Sequence, residues 1–343
     1  MPTDSRTLGL MSVSKLLQTP LPPQEWLVRD LIAVPGLYML VGGSKTRKSF
    51  LAADLGVHVT SGEDFWGREV SRAGVVYYAL EDSDRRLQNR IGQMTDVADE
   101  GYLYKTEAPP LDGTMTGGLV ADIRATVALK PETRLVIIDT LGKVRNVGGQ
   151  QNAYQADYRD AGQLKAIADE CGIAVLVVHH TRKMKADDPF DTISGTNGLM
   201  GASDAAFVLK LAHRGAKDGT LYVTGRDAPD QRLEIRFNDR TLEWELVHEA
   251  TEREVAEEQV PDDILAVRDF MVRRGEDWSG RTSELLDAVG IDAVDPRALG
   301  HRLNRFRPFL EGEGIACECT QISAGTRWTL TLKAQASDEG GEG

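Results

Sequence analysis

The stretch from Gly36 to Ser61, GLYMLVGGSKTRKSFLAADLGVHVTS, constrains the fold more than any other part of this 343-residue chain. It opens on an apolar run, Leu37 to Val41, of the length and type of a buried strand. A polar turn follows, Gly42 to Arg47. Lys48 and Ser49 then open a segment, Phe50 to Thr60, in which Leu51, Leu55 and Val59 recur at helical spacing. Strand, loop, Lys-Ser and helix, in that order, are the context of a phosphate-binding loop. Gly42, Gly43, Ser44, Lys45, Thr46 and Arg47 would turn backbone N–H groups toward a polyphosphate at a helix N-terminus. Lys48 would reach its β- and γ-phosphates, and the Ser49 hydroxyl would hold Mg²⁺.

The pattern G-x-x-x-x-G-K-[ST] is broken at one place. Gly42 starts it correctly, but Arg47 stands where the second glycine belongs. Glycine serves there because backbone must pass close to phosphate, often at a left-handed torsion that costs an L-residue about 1–2 kcal/mol. Three readings stay open. Arg47 carries that cost and adds guanidinium charge near the phosphates; or the site is dead; or the loop is only a basic turn.

Further strands end in chemistry of the same kind. Val75 to Leu80 is a buried-type strand that stops in Glu81-Asp82-Ser83-Asp84, before a polar helix from Arg85 to Thr95. Acidic residues at the carboxyl end of a strand in an open α/β sheet sit where ligands bind. Glu81 is the candidate general base, positioning water against a γ-phosphate. Helix capping by Ser83 or Asp84 competes with this reading but does not exclude it, since a cap needs only one of the four. Arg134 to Thr140 is an apolar strand ending in Asp139, the Walker B form whose Asp shares Mg²⁺ with Ser49. Ile173 to Val178 ends in His179-His180-Thr181-Arg182-Lys183, which reads either as a phosphate-sensing group or as histidines satisfied by their neighbours.

Between these points lie helices over Leu119 to Leu129 and Tyr154 to Cys171, a loop-rich Gly101 to Gly118, and an exposed-looking Phe65-Trp66. Lys185 to Ser203 reads as a long loop with no structure of its own. Strands over Ala205 to Leu211 and Leu221 to Thr224 follow, then a hairpin of Gln231 to Phe237 and Thr241 to Leu246 around Asn238-Asp239. Repeated strand–helix units followed by a run of strands predict an α/β fold with a mainly parallel central sheet and right-handed crossovers.

The divisions expected are a lead-in over 1–35, anchored by Trp26, Leu27, Leu31 and Ile32; a main domain over 36–248; an acidic linker over 249–263; a small domain over 264–333; and a disordered Gly/Glu-rich tail over 334–343. In the small domain Trp278-Ser279-Gly280 begins a turn, Asp295 is an N-cap with Pro296 at the first helical position, and Pro308 kinks or ends the helix. That helix buries Leu299, Leu303 and Phe306 and carries Arg297, His301, Arg302 and Arg305 on its other faces. A hairpin of Ile315 to Thr320 and Arg327 to Leu332 completes the outline of a winged helix. Its basic helix and Arg327 fit duplex DNA or, equally in kind, a solvated face of a protein-interaction module.

Composition narrows the class. The net charge of −13 argues against a surface that coats nucleic acid as a whole, while leaving a local basic groove open. No run of 18 apolar residues exists, and residues 1–20 lack the pattern of a signal peptide, so a cytoplasmic protein without membrane spans is expected. Cys171, Cys317 and Cys319 are read as reduced and structural; Cys317 and Cys319 point to the same side of a strand, with no neighbouring ligands to complete a metal site.

The motifs GGSKTRKS, YYALEDS, LVIIDT, VVHHTRK, SGTNGLMGASDAAFVL and VTGRDAPDQRLEIRF, in this order, resemble the RecA-like AAA-family ATPases of plasmids, phages and integrated elements, the group that includes the hexameric replicative helicase RepA. The resemblance spans roughly residues 25 to 248. It implies ATP and Mg²⁺ as cofactors, with Lys48 and Ser49 on the nucleotide, Glu81 activating water and Asp139 as the Walker B acid. It implies that His180 couples γ-phosphate state to DNA-binding loops after Asp139 and His180. Arg226 matches the strand-end arginine that such rings insert into a neighbour's site. The implied activity is an ATP-dependent motor on single-stranded DNA, working as a homo-oligomer, a hexamer in the family, with a primase or replication initiator left open as partner. Two alternatives stay beside it: an ATP-switched DNA-binding or loading protein that does not unwind, and a degenerate P-loop regulator or scaffold.

Overall fold

A computed structural model of the chain describes residues 11–97, 99–112, 114–145, 153–180, 190, 197–251, 254, 255, 257, 260–322 and 325–333. The chain divides into two compact units, Met1–Glu249 and Ala250–Gly343. The expected tail lies outside the described residues, and so do 146–152, 181–189 and 191–196, where the two loops assigned to DNA contact fall.

The first unit begins with a short helix α1 (Val13–Gln18), capped by the Ser12 hydroxyl, and continues through a hairpin of β1 (Glu25–Val28) and β2 (Ile32–Val34). The expected apolar anchors are real, and they sit in this hairpin: Leu27, Leu31 and Ile32 are buried and Trp26 half-buried. Then come β3 (Gly36–Gly42), α2 (Lys48–Ser61), β4 (Gly74–Ala79), α3 (Asp84–Met94), β5 (Tyr102–Lys105), α4 (Gly118–Leu129), β6 (Thr133–Asp139), α5 (Leu141–Val144), α6 (Ala153–Cys171), β7 (Ala174–His180), α7 (Asn197–Ala202), β8 (Ala205–Leu211), β9 (Asp218–Gly225), β10 (Gln231–Asn238) and β11 (Glu243–Glu249).

Nine strands form one sheet in the order β11-β10-β9-β8-β3-β7-β6-β4-β5. Strands from β8 to β5 in that order are parallel, and β9, β10 and β11 extend the sheet antiparallel. Every residue of β3 and β4 is buried, because helices cover both faces, and continuous apolar runs are what a doubly covered parallel strand requires. One face packs against α2, α3 and the β1–β2 hairpin, with Leu51, Val59, Leu87 and Phe65 in its core. The other packs against α4, α5 and α6, with Leu119, Ile123, Leu164 and Ile167. The chain leaves β3 for β4 on one side and later passes to β8 on the other, so the carboxyl end of β3 is a topological switch point, where α/β sheets bind ligands.

Four local expectations are corrected. Phe65 is buried and Trp66 half-buried; the two rings stack 4.4 Å apart and Trp66 Nε1 donates to the Trp244 carbonyl. The stretch expected to be a loop after Gly101 contains β5, which forms the edge of the sheet. Residues 197–202 form α7 within the segment expected to be structureless. Trp278-Ser279-Gly280 is a strand and not a turn, because it pairs with residues 328–330.

The second unit holds α8 (Asp262–Arg274), β12 (Trp278–Arg281), α9 (Thr282–Val289), α10 (Pro296–Arg305), α11 (Arg307–Gly312), β13 (Ile315–Ile322) and β14 (Gly325–Leu332). Its sheet runs β12-β14-β13 and its core gathers Ile264, Leu285, Leu299, Leu303 and Trp328. Asp295 caps α10 by accepting from the Arg297 and Ala298 amides, with Pro296 following, as expected. Cys317 is buried and Cys319 exposed, although both lie on one side of β13.

Candidate nucleotide site

Register brings the candidate side chains to one edge. Gly42 at the end of β3 is level with His180 on β7 and with Leu209 on β8, while Asp139 on β6 is level with Val178 and with Ala79, two residues before Glu81. Lys48, Ser49, Phe50, Glu81, Asp139 and His180 line a common cleft of about 350 Å³ there.

Gly42 owes its place to packing. A Cβ at this position would stand 2.6 Å from the Leu209 carbonyl oxygen on the neighbouring strand. Lys45 and Arg47 both adopt left-handed backbone, Arg47 at φ 63° and ψ 29°, so the turn has the torsion that glycine serves in the motif. The guanidinium of Arg47 is engaged away from the loop: Nη1 donates to the Ala216 carbonyl at 2.7 Å, and the group lies 4.4 Å from the centre of the Phe237 ring.

Lys48 is 4 % exposed. Its ammonium donates to the carbonyls of Gly42 (2.9 Å) and Gly43 (2.8 Å), and His180 Nδ1 stands 3.4 Å away. Burial lowers the Lys48 pKa to about 8, against the pull of Asp139 and Glu81. Burial, then Lys48, hold His180 below its ordinary value. Its neighbour His179 is pushed down to about 4 by burial and by Arg145.

Asp139 is buried at the end of β6. Tyr77 on β4 donates to its Oδ2 at 2.8 Å, while Oδ1 is buried without a hydrogen-bond partner. Burial raises its pKa, opposed by Ser49 and Tyr77. A buried carboxylate oxygen left unpaired beside a serine hydroxyl fits a hard divalent cation or its bound water, so Ser49 and Asp139 suit Mg²⁺. Among the described residues no cluster of three or more His, Cys, Asp or Glu forms a metal site by itself. Glu81 is exposed, with Oε1 3.4 Å from the Thr140 hydroxyl.

Ser83 is the N-cap residue of α3 but makes no side-chain cap bond. Asp82 instead binds Arg90, 2.6 Å from Nη1, and the Arg90 guanidinium lies 4.4 Å from the centre of the Phe50 ring. Arg90 and Phe50 line the cleft, and neither stands out in the sequence, where an arginine on a polar helix carries no signal. Tyr77, the donor to Asp139, looks in sequence like any aromatic filling a strand.

Arg226 is elsewhere. It follows β9, whose last residue Gly225 pairs with Ala205 at the start of β8, whereas Gly42 pairs with Leu209. Those four residues of strand place Arg226 roughly 13 Å along the sheet from the loop, at the opposite edge. Its side chain donates to the Gly201 carbonyl and is exposed.

Residues 4–186, more than half of the chain, match the family model described as AAA domain. The chain belongs to the AAA domain family. Among solved structures this AAA domain protein is similar to an ATPase domain, with a TM-score of 0.50 and 12% identity, over 62% of this chain and 85% of that one. A DnaB-like replicative helicase, described with its interactions with primase, aligns over 71% of this chain and 67% of its own at 11% identity and a TM-score of 0.48. No curated protein matches. At 12% identity the likeness is one of fold, the RecA-like P-loop sheet, and leaves function to the site. Among the described residues no helix is long and apolar enough to cross a membrane.

Proposed function

We propose that this protein is an ATP-driven motor on single-stranded DNA, a cytoplasmic RecA-like ATPase of the replicative-helicase type from a mobile element or phage. The observation that carries the ATPase part is the meeting of Lys48, Ser49, Glu81, Asp139 and His180 in one cleft at the switch point of the sheet. A triphosphate in the loop competes with the Gly42 and Gly43 carbonyls for the Lys48 ammonium. Ser49 and Asp139 hold Mg²⁺, which neutralises charge on the phosphates when bound. The Glu81 carboxylate accepts the proton of the attacking water, oriented by Thr140. His180, against Lys48, reports whether the γ-phosphate is present.

Arg226 supports a ring. Placed at the sheet edge away from its own loop, it has a nucleotide to act on only in a neighbouring subunit, as an arginine finger does. A primase or a replication initiator is the further partner to test, on the family resemblance of the motifs. In the second unit, the helices and the β12-β14-β13 sheet are winged-helix-like. Arg302 is tied to the buried Asp263 at 2.7 Å, so Arg297, Arg305 and Arg327, all exposed, are the residues left to meet phosphate.

Turnover of ATP by the full chain, with and without single-stranded DNA, tests the reading. DNA-stimulated hydrolysis that is lost in Glu81→Gln and ATP binding lost in Lys48→Ala are expected. Tight ATP binding without turnover would replace the motor by an ATP switch, and binding unchanged in Lys48→Ala would remove the nucleotide site.

A further inference from the structure

Arg47 replaces a glycine of the motif yet keeps the left-handed torsion, and three separate elements hold it there. Its guanidinium donates to Ala216 in the turn between β8 and β9 at 2.7 Å. The same group covers the Phe237 ring on β10. Its carbonyl accepts from Trp244 Nε1 on β11 at 3.3 Å, as well as from the Phe50 and Leu51 amides that start α2. The footing is stiff: Ala216 is buried, its amide donates to the His213 carbonyl, and the Phe237 amide donates to the Lys217 carbonyl at 2.8 Å. Phe237 in turn meets Trp244 and Phe50 edge-on, at 5.2 and 5.4 Å between ring centres. All three anchors belong to the antiparallel extension of the sheet or to the turn leading into it.

We propose that Arg47 is a positioning residue, a strut by which the β8–β9 turn and the antiparallel strands β10 and β11 hold the phosphate-binding loop in its nucleotide-ready shape. A glycine at this position would adopt the torsion freely but would also leave it freely. The side chain removes that freedom, so the loop is ordered before the phosphates arrive and less of the binding free energy goes to ordering it. The inference rests on the nucleotide-binding reading above.

The test compares the wild type with Arg47→Gly, Arg47→Lys, Phe237→Leu and the double variant Arg47→Gly/Phe237→Leu. Calorimetry with Mg·ATPγS reads Kd, steady-state assays read KM and kcat, and urea melts read stability. Arg47→Gly is expected to raise Kd and KM about fivefold to tenfold with kcat within about twofold, because an ordered loop serves ground and transition states alike. Its urea midpoint is expected to hold or rise, since glycine relieves the torsion. Arg47→Lys should recover part of the loss. Phe237→Leu should raise KM about twofold to threefold, and the double variant should be no weaker than Arg47→Gly, because both remove one strut. Kd and KM in Arg47→Gly equal to or below wild type overturn the inference, as does a fall in kcat at constant KM. If Arg47→Gly does not fold, unchanged KM in both Arg47→Lys and Phe237→Leu overturns it. Binding that is lost in Lys48→Ala but not weakened in Arg47→Gly defeats the strut alone; wild type that binds no ATPγS defeats the nucleotide reading and the strut with it.

Discussion

Two residues of the phosphate-binding loop carry measurable consequences of their own. With a pKa near 8, Lys48 is largely charged at pH 7 and largely neutral at pH 9 in the free protein. A polyphosphate favours the ammonium and raises that pKa again. Nucleotide binding at pH 8.5 should therefore take up a proton, and at pH 7 almost none. Calorimetry in buffers of different ionisation heat reads this directly, and a binding heat at pH 8.5 that is the same in every buffer would rule it out. Gly42 makes a second case. Gly42→Ala drives a methyl into the Leu209 carbonyl and should cost about 1–3 kcal/mol in a urea melt. Gly43→Ala, whose new Cβ would find its nearest neighbour at 3.5 Å, should stay within about 0.5 kcal/mol. The sequence pattern specifies Gly42 and leaves Gly43 free, and the register of β3 on β8 supplies the physical reason.

At the scale of elements, the site depends on two parallel strands that hold each other in phase. Tyr77 on β4 is fully buried and donates to Asp139 on β6. Tyr77→Phe keeps the ring and removes the donor, leaving Asp139 Oδ2 without its tyrosine partner away from water. A loss of about 1–3 kcal/mol in a urea melt is expected. The Asp139 pKa, already raised by burial, should rise further. The chemistry at the ends of β3, β4, β6 and β7 is legible in sequence because each strand is one unbroken apolar run that stops at a charged or polar residue. The short strands β5 and β12 are not legible. Four residues such as Tyr102 to Lys105 carry too little alternation to stand out, and a β-partner supplies what local preference does not. The start of α10 is likewise legible in Asp295-Pro296, whereas the pairing of Arg302 with the buried Asp263 is invisible until α8 and α10 are packed together.

For the whole molecule, the placement of Arg226 makes a prediction that a single subunit cannot satisfy. Arg226→Ala should leave ATP affinity within about twofold, because the residue is at the far edge of the sheet from its own loop. In the proposed ring it should lower turnover by about 10³-fold, the scale of a lost arginine finger. Mixing Arg226→Ala with Lys48→Ala subunits should restore hydrolysis, since each supplies what the other lacks at a shared site. Turnover of the mixture no greater than the sum of the two alone would place Arg226 outside the reaction.

The class of fold and the order of its parts are already written in the sequence. Apolar runs of strand length, helical spacing between them and the Lys-Ser pair after a turn are local properties, and the P-loop needs only neighbours in the chain. The same local logic names Lys48, Ser49, Glu81, Asp139 and His180, since each stands at the end of its own strand or the start of a helix. How distant segments meet is a matter of tertiary structure. Packing sets Arg47 against Ala216, Phe237 and Trp244, some 170 to 200 residues away in the chain, and Tyr77 against Asp139. It sends Arg226 to the edge opposite the loop, because β9 runs antiparallel to β8. Such contacts follow from strand order and register, which arise from packing of the whole sheet and leave no mark in any one stretch of residues.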